Sequence, residues 1–312
     1  MPSPRSLASQ IAVTAASITD DVRRAPGLAR KIGFSGLQFA GYSPSLNIPD
    51  LSGSGRREFR NMVTGENVQL VGFTADLGAK GFGPGADVDR ILARLDKLLE
   101  AAKGLESPLL CVDLGPLPPP PRDDRPKPTI TPEMAGLLVL PDSSAFVAVP
   151  APESTNLSRI PPAVDPTFAA QVDAALADLG QRADRYGVTV ALRSELAGFG
   201  ALERALRTAH CPWFGVDLDP AALLGDEWSG DEFFSRLGPQ VRHVRGHDAS
   251  AGADHRTKPA IVGQGDTDWP LLLSQLDAAG YHGWITVDPF DLPDRATAAR
   301  AGREWIEKAA TR

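Results

Sequence analysis

The sequence predicts a closed (β/α)8 barrel, and three observations carry that prediction. Eight apolar, strand-like runs alternate with amphipathic stretches of helical period, the signature of βα units around a parallel sheet. Several helical patterns close on a glycine suited to a left-handed cap, as in RKIGFSG, DRYGVT and DAAGYHG. An open doubly wound sheet would share the alternation, but no GxGxxG or GxxxxGK(S/T) follows a strand, which lowers that alternative.

Taken in order, strands are predicted at 11–17 (IAVTAAS), 36–41 (GLQFAG), 68–77 (VQLVGFTADL), 108–115 (PLLCVDLG), 188–195 (VTVALRSE), 213–219 (WFGVDLD), 241–248 (VRHVRGHD) and 284–290 (WITVDPF). Between them, DVDRILARLDKLLEAAKG and TFAAQVDAALADLGQRADRYG repeat apolar residues at three- and four-residue spacing, which gives a helix one buried face. Residues 116–166 break the rhythm: half of the chain's 28 prolines fall there, and a helix cannot propagate through them. Inside this stretch GLLVL (136–140) and AFVAV (145–149) are spaced to pair as a small hairpin. The insertion lies between the fourth strand and its helix, so a barrel carries it on the C-terminal face, where active sites are built. The chain, 1–312, reads as one barrel domain whose inserted loop is a lid, a solvated spacer or a partner-contact loop.

A hydrophobic fraction of 42% with 23% charged residues is that of a globular protein with a large core. A net charge of −7 argues against a nucleic-acid surface, because binding to phosphate backbones rests on Lys and Arg. Cys111 and Cys211 are the only cysteines, each in or beside an apolar run; both read as core residues, and a cysteine-rich zinc site is excluded by count. No apolar run approaches the ~18 residues of a membrane span, and MPSPRSLASQIAVTAAS lacks the basic start and continuous apolar stretch of a secretory signal. A cytoplasmic protein that does not engage membranes is the expectation.

Barrel chemistry sits at the C-terminal ends of strands. The fifth strand offers Arg193, Ser194 and Glu195, the sixth Asp217 and Asp219, the seventh Arg245, His247 and Asp248, the eighth Asp288. Side chains alternate along a strand, so Arg193 and Glu195 share a face, as do Asp217 with Asp219 and Arg245 with His247. Charged groups inside apolar strands are costly without a partner, a ligand or water. They are therefore expected to converge.

VTVALRSE, GVDLDPAALL, VRHVRGHD, IVGQGDTDWPLLLSQLDAAGYHG and WITVDPF together resemble the sugar phosphate isomerase/epimerase family, the xylose isomerase-like barrels also called the AP endonuclease family 2 type. The likeness is strongest from about residue 168 onward, and GQGDTDW (263–269) is its most specific segment. The resemblance implies one divalent ion held by Glu, Asp, His and Glu on the fifth to eighth strands, with the two Glu residues as the acid/base pair. Carried over by position, the first Glu becomes Arg193, the Asp remains as Asp219, the His becomes Arg245 and the last Glu becomes Asp288. A guanidinium stays protonated and has no lone pair for a metal, so the usual site is expected to be absent.

Three readings of the strand ends stay open. The arginines neutralise Asp219 and Asp288 as an ion-pair cluster. They hold the carboxylate or phosphate of an anionic sugar, as bidentate donors do. Or a Mn, Zn or Fe ion sits one step outward on Glu195, Asp219, His247 and Asp288, with Asp217 as an alternative to Asp219. His243 points the same way as Arg245 but deeper, as a satisfied core histidine would, and His282 in GYHGW reads as a turn. Arg256, beside His255, fits the family's pattern of a substrate-contacting arginine after the seventh strand. Gln38 is placed either to reach a sugar hydroxyl or to cap the barrel, Trp228 to offer an aromatic face, and the other four tryptophans read as core packing.

The expected function is an isomerase, epimerase or related lyase acting on a carbohydrate, a sugar acid or a sugar phosphate by proton transfer. Glu195, Asp288 and His247 are its candidate acid/base groups, with Arg193, Arg245, Asp219 and Asp248 on the substrate. The competing reading is a metal-free, non-catalytic barrel that binds an anionic sugar or a protein partner. A DNA-repair nuclease on the same barrel would need more His and Glu ligands and a basic face, which the chain lacks.

Overall fold

The computed structural model describes residues 10–120, 165–226, 228–251 and 257–310. Strands β1 (Ile11–Thr14), β2 (Gly36–Ala40), β3 (Gln69–Asp76), β4 (Leu109–Asp113), β5 (Thr189–Arg193), β6 (Phe214–Leu218) and β7 (Val241–Gly246) are followed by a hairpin of β8 (Asp248–Ala251) and β9 (Thr257–Ala260), then by β10 (Ile285–Val287). β1 to β7 and β10 form a closed parallel barrel, in which β10 pairs with both β1 and β7. The predicted fold class is therefore the observed one. The expected hairpin at 136–149 falls outside the described residues.

Around the barrel run α1 (Ala25–Ile32), α2 (Gly53–Gly65), α3 (Val88–Gly104), α4 (Pro166–Tyr186), α5 (Phe199–Ala209), α6 (Pro220–Leu223), α7 (Gly230–Leu237), α8 (Trp269–Ala278) and α9 (Arg295–Ala310). Their ends follow local chemistry. Asp87, Asp165, Asp219, Ser229 and Asp268 each accept a hydrogen bond from a first-turn amide, and Pro166, Pro220 and Pro270 stand where a helix can begin without an N–H. Gly33 and Gly187 close α1 and α4 in the left-handed conformation that the glycine pattern predicts. Among the described residues, no helix is long and apolar enough to cross a membrane.

The barrel interior is apolar at its base and charged at its top. Ala12, Val71, Leu109, Cys111 and Ala191 form the base, and Trp284 packs against them. Gly36 is what admits that ring, since a Cβ there would lie 2.7 Å from Trp284 Cζ3. The larger apolar layer lies between strands and helices, where Phe34, Phe73, Leu98 and Trp269 are buried.

All eight barrel strands end one to three residues earlier than predicted, and two of these ends bear on the site. Ala15–Ser17 turn as a 3-10 segment after β1, and β7 stops at Gly246 so that Asp248 opens the hairpin instead of ending the strand. The segment leading from β4 into the inserted loop turns inward, with Leu114 and Leu117 buried and Ser194 Oγ donating to Gly115 O at 2.5 Å.

Candidate functional site

Inward positions rise through the barrel in steps of two residues along each strand. The step above the apolar base carries Gln38, Asp217, His243 and Thr286, all buried. Here His243 Nδ1 lies 2.6 Å from Asp217 Oδ1, its Nε2 lies 2.8 Å from Thr286 Oγ1, and Gln38 Nε2 donates to Cys111 Sγ at 3.2 Å. His243 is thus a satisfied core histidine, as its depth in the strand implies.

Above it stand the two arginines. Arg193 donates from Nε to Asp113 Oδ2 at 3.2 Å and from Nη1 to Asp217 Oδ2 at 2.9 Å, while its Nη2 lies 3.6 Å from Glu195 Oε1. Arg245 donates from Nε to Asp288 Oδ2 at 2.9 Å and from Nη1 to Glu195 Oε1 at 3.0 Å and Asp219 Oδ2 at 3.4 Å. Thr14 and Ser17 donate to the other oxygen of Asp288 at 2.9 and 3.2 Å. Register assists: Asp113 is the β-partner of Arg193, and Thr286 that of Arg245.

The electrostatics follow from these contacts. Burial opposes ionisation of Asp217, Asp219 and Asp288, but His243 and Arg193 for the first, His247 and Arg245 for the second, and Arg245 with Thr14 and Ser17 for the third outweigh it. All three carboxyls are held below the usual range. Burial also opposes the charge on Arg245, yet Asp288, Asp219 and Glu195 raise its pKa further. At Asp113 burial wins over Arg193 and the pKa rises.

His247 sits on the outer side of this network. Its Nδ1 lies 3.1 and 3.0 Å from the two oxygens of Asp219, and its Nε2 is buried with no partner among the described residues. Burial lowers its pKa, but the Asp219 hydrogen bond and charge outweigh burial and leave it raised. It lines a narrow crevice with Pro259, Val262, Val287 and Pro289. A cavity of about 210 Å³ at the strand ends is walled instead by Thr14, Gln38, Thr74, Arg193, Arg245 and Asp288, with half-exposed Phe290 beside them.

The expected site residues therefore divide. Arg193, Arg245, Glu195, Asp219, His247 and Asp288 come together in one network, and Gln38 forms part of the cavity wall. Asp248, read as a substrate contact, is a correction. It is fully buried, and its oxygens accept from the amides of Ala249, Gly263, Gly265 and Thr267 and from Trp269 Nε1. Asp248 pins the GQGDTDW loop against the barrel. Trp228 is also displaced from its expected role: it lies off the cavity wall, 6.4 Å from Phe199 with the Arg236 guanidinium 4.2 Å above its ring. Arg256 and His255 lie outside the described residues. Asp113, Thr14, Ser17 and Thr286 join the network without having been singled out. The signal for Asp113 was available, since it ends the fourth strand as Arg193 ends the fifth.

The alternative ligand set Glu195, Asp219, His247 and Asp288 is not arranged around an open position. Three of its members are turned onto the Arg245 guanidinium and the fourth onto Asp219, so a fixed cation stands among them and a second one would be repelled. The residues present do not fit a divalent ion at that level of the barrel. Among the described residues, the group of metal-ligand type whose donor atoms lie close together is Cys111, Asp217 and His243, all buried.

Comparison with known proteins agrees with this architecture. The family model of xylose isomerase-like TIM barrels matches residues 26–309. No curated protein sequence matches the chain. Among solved structures it is similar to a xylose isomerase domain protein from Planctomyces limnophilus, at 16% identity and TM-score 0.69 over 96% of each chain. D-psicose 3-epimerase from Clostridium cellulolyticum H10, solved with D-tagatose, superposes at 14% identity and TM-score 0.66, over 96% of this chain and 99% of that one. A xylose isomerase-like barrel protein from Mycobacterium smegmatis in complex with magnesium does so at 14% identity and TM-score 0.65, over 97% and 96%. With a closed eight-stranded barrel and a family match over most of its length, the chain belongs to the xylose isomerase-like TIM-barrel family.

Proposed function

We propose that this barrel binds a small, uncharged sugar or polyol in the cavity at the strand ends, without a divalent ion at its family's usual position. The observation that carries the reading is the Arg245 guanidinium, hydrogen-bonded to Asp288, Glu195 and Asp219 where the family resemblance calls for a metal. Hydroxyl groups suit such walls, because they accept from guanidinium edges and donate to carboxylates. The similarity to a sugar epimerase solved with D-tagatose supports a carbohydrate ligand. The pairing disfavours the sugar acid or phosphate expected from the two arginines: an added anion would have to displace a buried carboxylate and leave it without a counter-charge.

The test is isothermal titration of the purified protein with neutral ketoses and polyols, sugar acids and sugar phosphates, each with and without added Mn²⁺. Neutral ligands binding equally well in both conditions, with binding lost in Arg245→Met, support the reading. Binding confined to sugar phosphates, or requiring Mn²⁺, contradicts it.

A second reading, proton transfer in an isomerase or epimerase reaction, is favoured by one observation. His247, in the crevice beside the cavity, is oriented through Nδ1 by Asp219 while its Nε2 has no partner among the described residues, the arrangement of an oriented general base. Asp288 and Glu195, expected to share that work, are tied to Arg245. Deuterium uptake from D₂O next to the carbonyl of a bound ketose, lost in His247→Gln, tests it. Exchange that persists in that variant removes His247 from the chemistry.

A further inference from the structure

The arginine-centred network leaves a charge imbalance. Five carboxylates, on Asp113, Asp217, Asp219, Asp288 and Glu195, face two guanidinium groups and the imidazoles of His243 and His247. With the imidazoles neutral, negative charge exceeds positive around the buried Asp113, Asp217, Asp219 and Asp288, and a cation close by would offset it. Arg245 denies one its place at the upper level, but the level beneath offers donors of another kind.

We propose that Cys111, Asp217 and His243 form a site for a thiophilic divalent ion such as zinc, one step deeper in the barrel than the position Arg245 occupies. Their donor atoms all lie within 4.8 Å of one another. Thiolate, imidazole and carboxylate are the donor types that zinc takes, at roughly 2.0–2.3 Å. Each candidate ligand also has an outer partner that leaves a donor free. Thr286 faces His243 Nε2, so Nδ1 can turn its lone pair to an ion. Arg193 occupies Asp217 Oδ2 and leaves Oδ1 toward Nδ1. Gln38 donates to the Cys111 sulfur, as an outer partner of a thiolate does. Such partners orient the ligands of established metal sites. Asp217, His243 and Gln38 also line the cavity at the strand ends, which gives an ion a path to them.

Binding is balanced as an exchange of protons for the ion. The thiol proton of Cys111 leaves to solvent, the imidazole proton moves from Nδ1 to Nε2 and is donated to Thr286, and bonds from sulfur, Nδ1 and Oδ1 to the ion form in their place. His243 and Asp217, 2.6 Å apart without an ion, part by under about 1 Å to reach ordinary coordination distances.

The experiment uses the full chain, stripped by chelator, desalted, and titrated with Zn²⁺ by calorimetry and with Co²⁺ by absorption. The proposal expects one equivalent of each, release of one proton per Zn²⁺, and a near-ultraviolet thiolate-to-cobalt band. That band is absent in Cys111→Ser and intact in Glu195→Gln and His247→Gln. Gln38→Ala and Thr286→Val are expected to weaken Zn²⁺ by about 10- to 100-fold, the usual effect of removing outer partners. Failure of the wild type to bind either ion overturns the proposal. So does bound Co²⁺ without the thiolate band, or binding lost in Glu195→Gln or His247→Gln and kept in Cys111→Ser. Because the cobalt band is read on the wild type, a misfolded variant does not leave the question open. The outcome is separate from that of the sugar titration, which concerns the cavity above.

Discussion

Arg245 Nε and Nη2 both lie 2.9 Å from the same oxygen of Asp288, while Thr14 and Ser17 hold the other oxygen. A carboxylate on the eighth strand is thereby the counter-ion of a residue on the seventh. Removing one partner of such a buried pair leaves an uncompensated charge. Arg245→Met is expected to cost roughly 3–5 kcal/mol in chemical denaturation. A loss under about 1 kcal/mol would mean that water already screens the pair.

The same relationship predicts a gain of function. Arg193→Glu combined with Arg245→His places a carboxylate and an imidazole at the two positions where the family resemblance calls for them, opposite Asp219 and Asp288. The double variant is expected to bind one equivalent of Mn²⁺ and to gain melting temperature with Mn²⁺ concentration, as a ligand specific to the folded state requires. A melting temperature indifferent to Mn²⁺ would show that more than the two arginines keeps the ion out.

Asp248 carries a third prediction. Its carboxylate gathers four backbone amides and the Trp269 indole, and Gly265 approaches so closely that a Cβ there would meet Asp248 Oδ1 at 2.3 Å. Asp248→Ala is expected to cost on the order of 3–5 kcal/mol, because several buried donors lose their acceptor together. Faster amide exchange at Gly263 and Gly265 should accompany the loss. A stable variant with unchanged exchange would contradict the anchoring role.

Dependence on pH has two limbs of opposite sign. His247 has a folded pKa above its ordinary 6.5, so its contribution is fully present below about that pH and is lost as pH rises through the folded value. Asp217, Asp219 and Asp288 have folded values below 3.8, so theirs are present above that pH and are lost as pH falls through the lower folded values. Stability is expected to be greatest between the two and to fall steeply on the acid side. His247→Gln should flatten the alkaline limb and leave the acid limb in place, which melting curves from pH 3 to 9 would resolve.

Much of this was legible in the sequence because it depends on local rules. Period-two and period-3.6 patterns placed all eight barrel strands and their main helices, since burial of one face imposes those periods. The convergence of Arg193, Asp219, Arg245 and Asp288 was expected from strand alternation at the barrel's C-terminal end and from the cost of burying unpaired charge. Asp248 and Trp228 were misplaced for a physical reason. Sequence position puts Asp248 one residue past His247, but which donors surround it depends on a loop that returns 15 to 21 residues later.

The sequence by itself determined the barrel, the level at which its charges meet, and the presence there of two arginines, which offer a metal no lone pair. Only the tertiary structure decided how those charges pair. Arg193 reaches down to Asp113 and Asp217, and Arg245 reaches across to Asp288, Glu195 and Asp219, through partners on strands far apart in the chain. Alternation says which face a side chain takes. Which neighbour it meets there is fixed by barrel closure and register, which bring the eighth strand against the first and seventh.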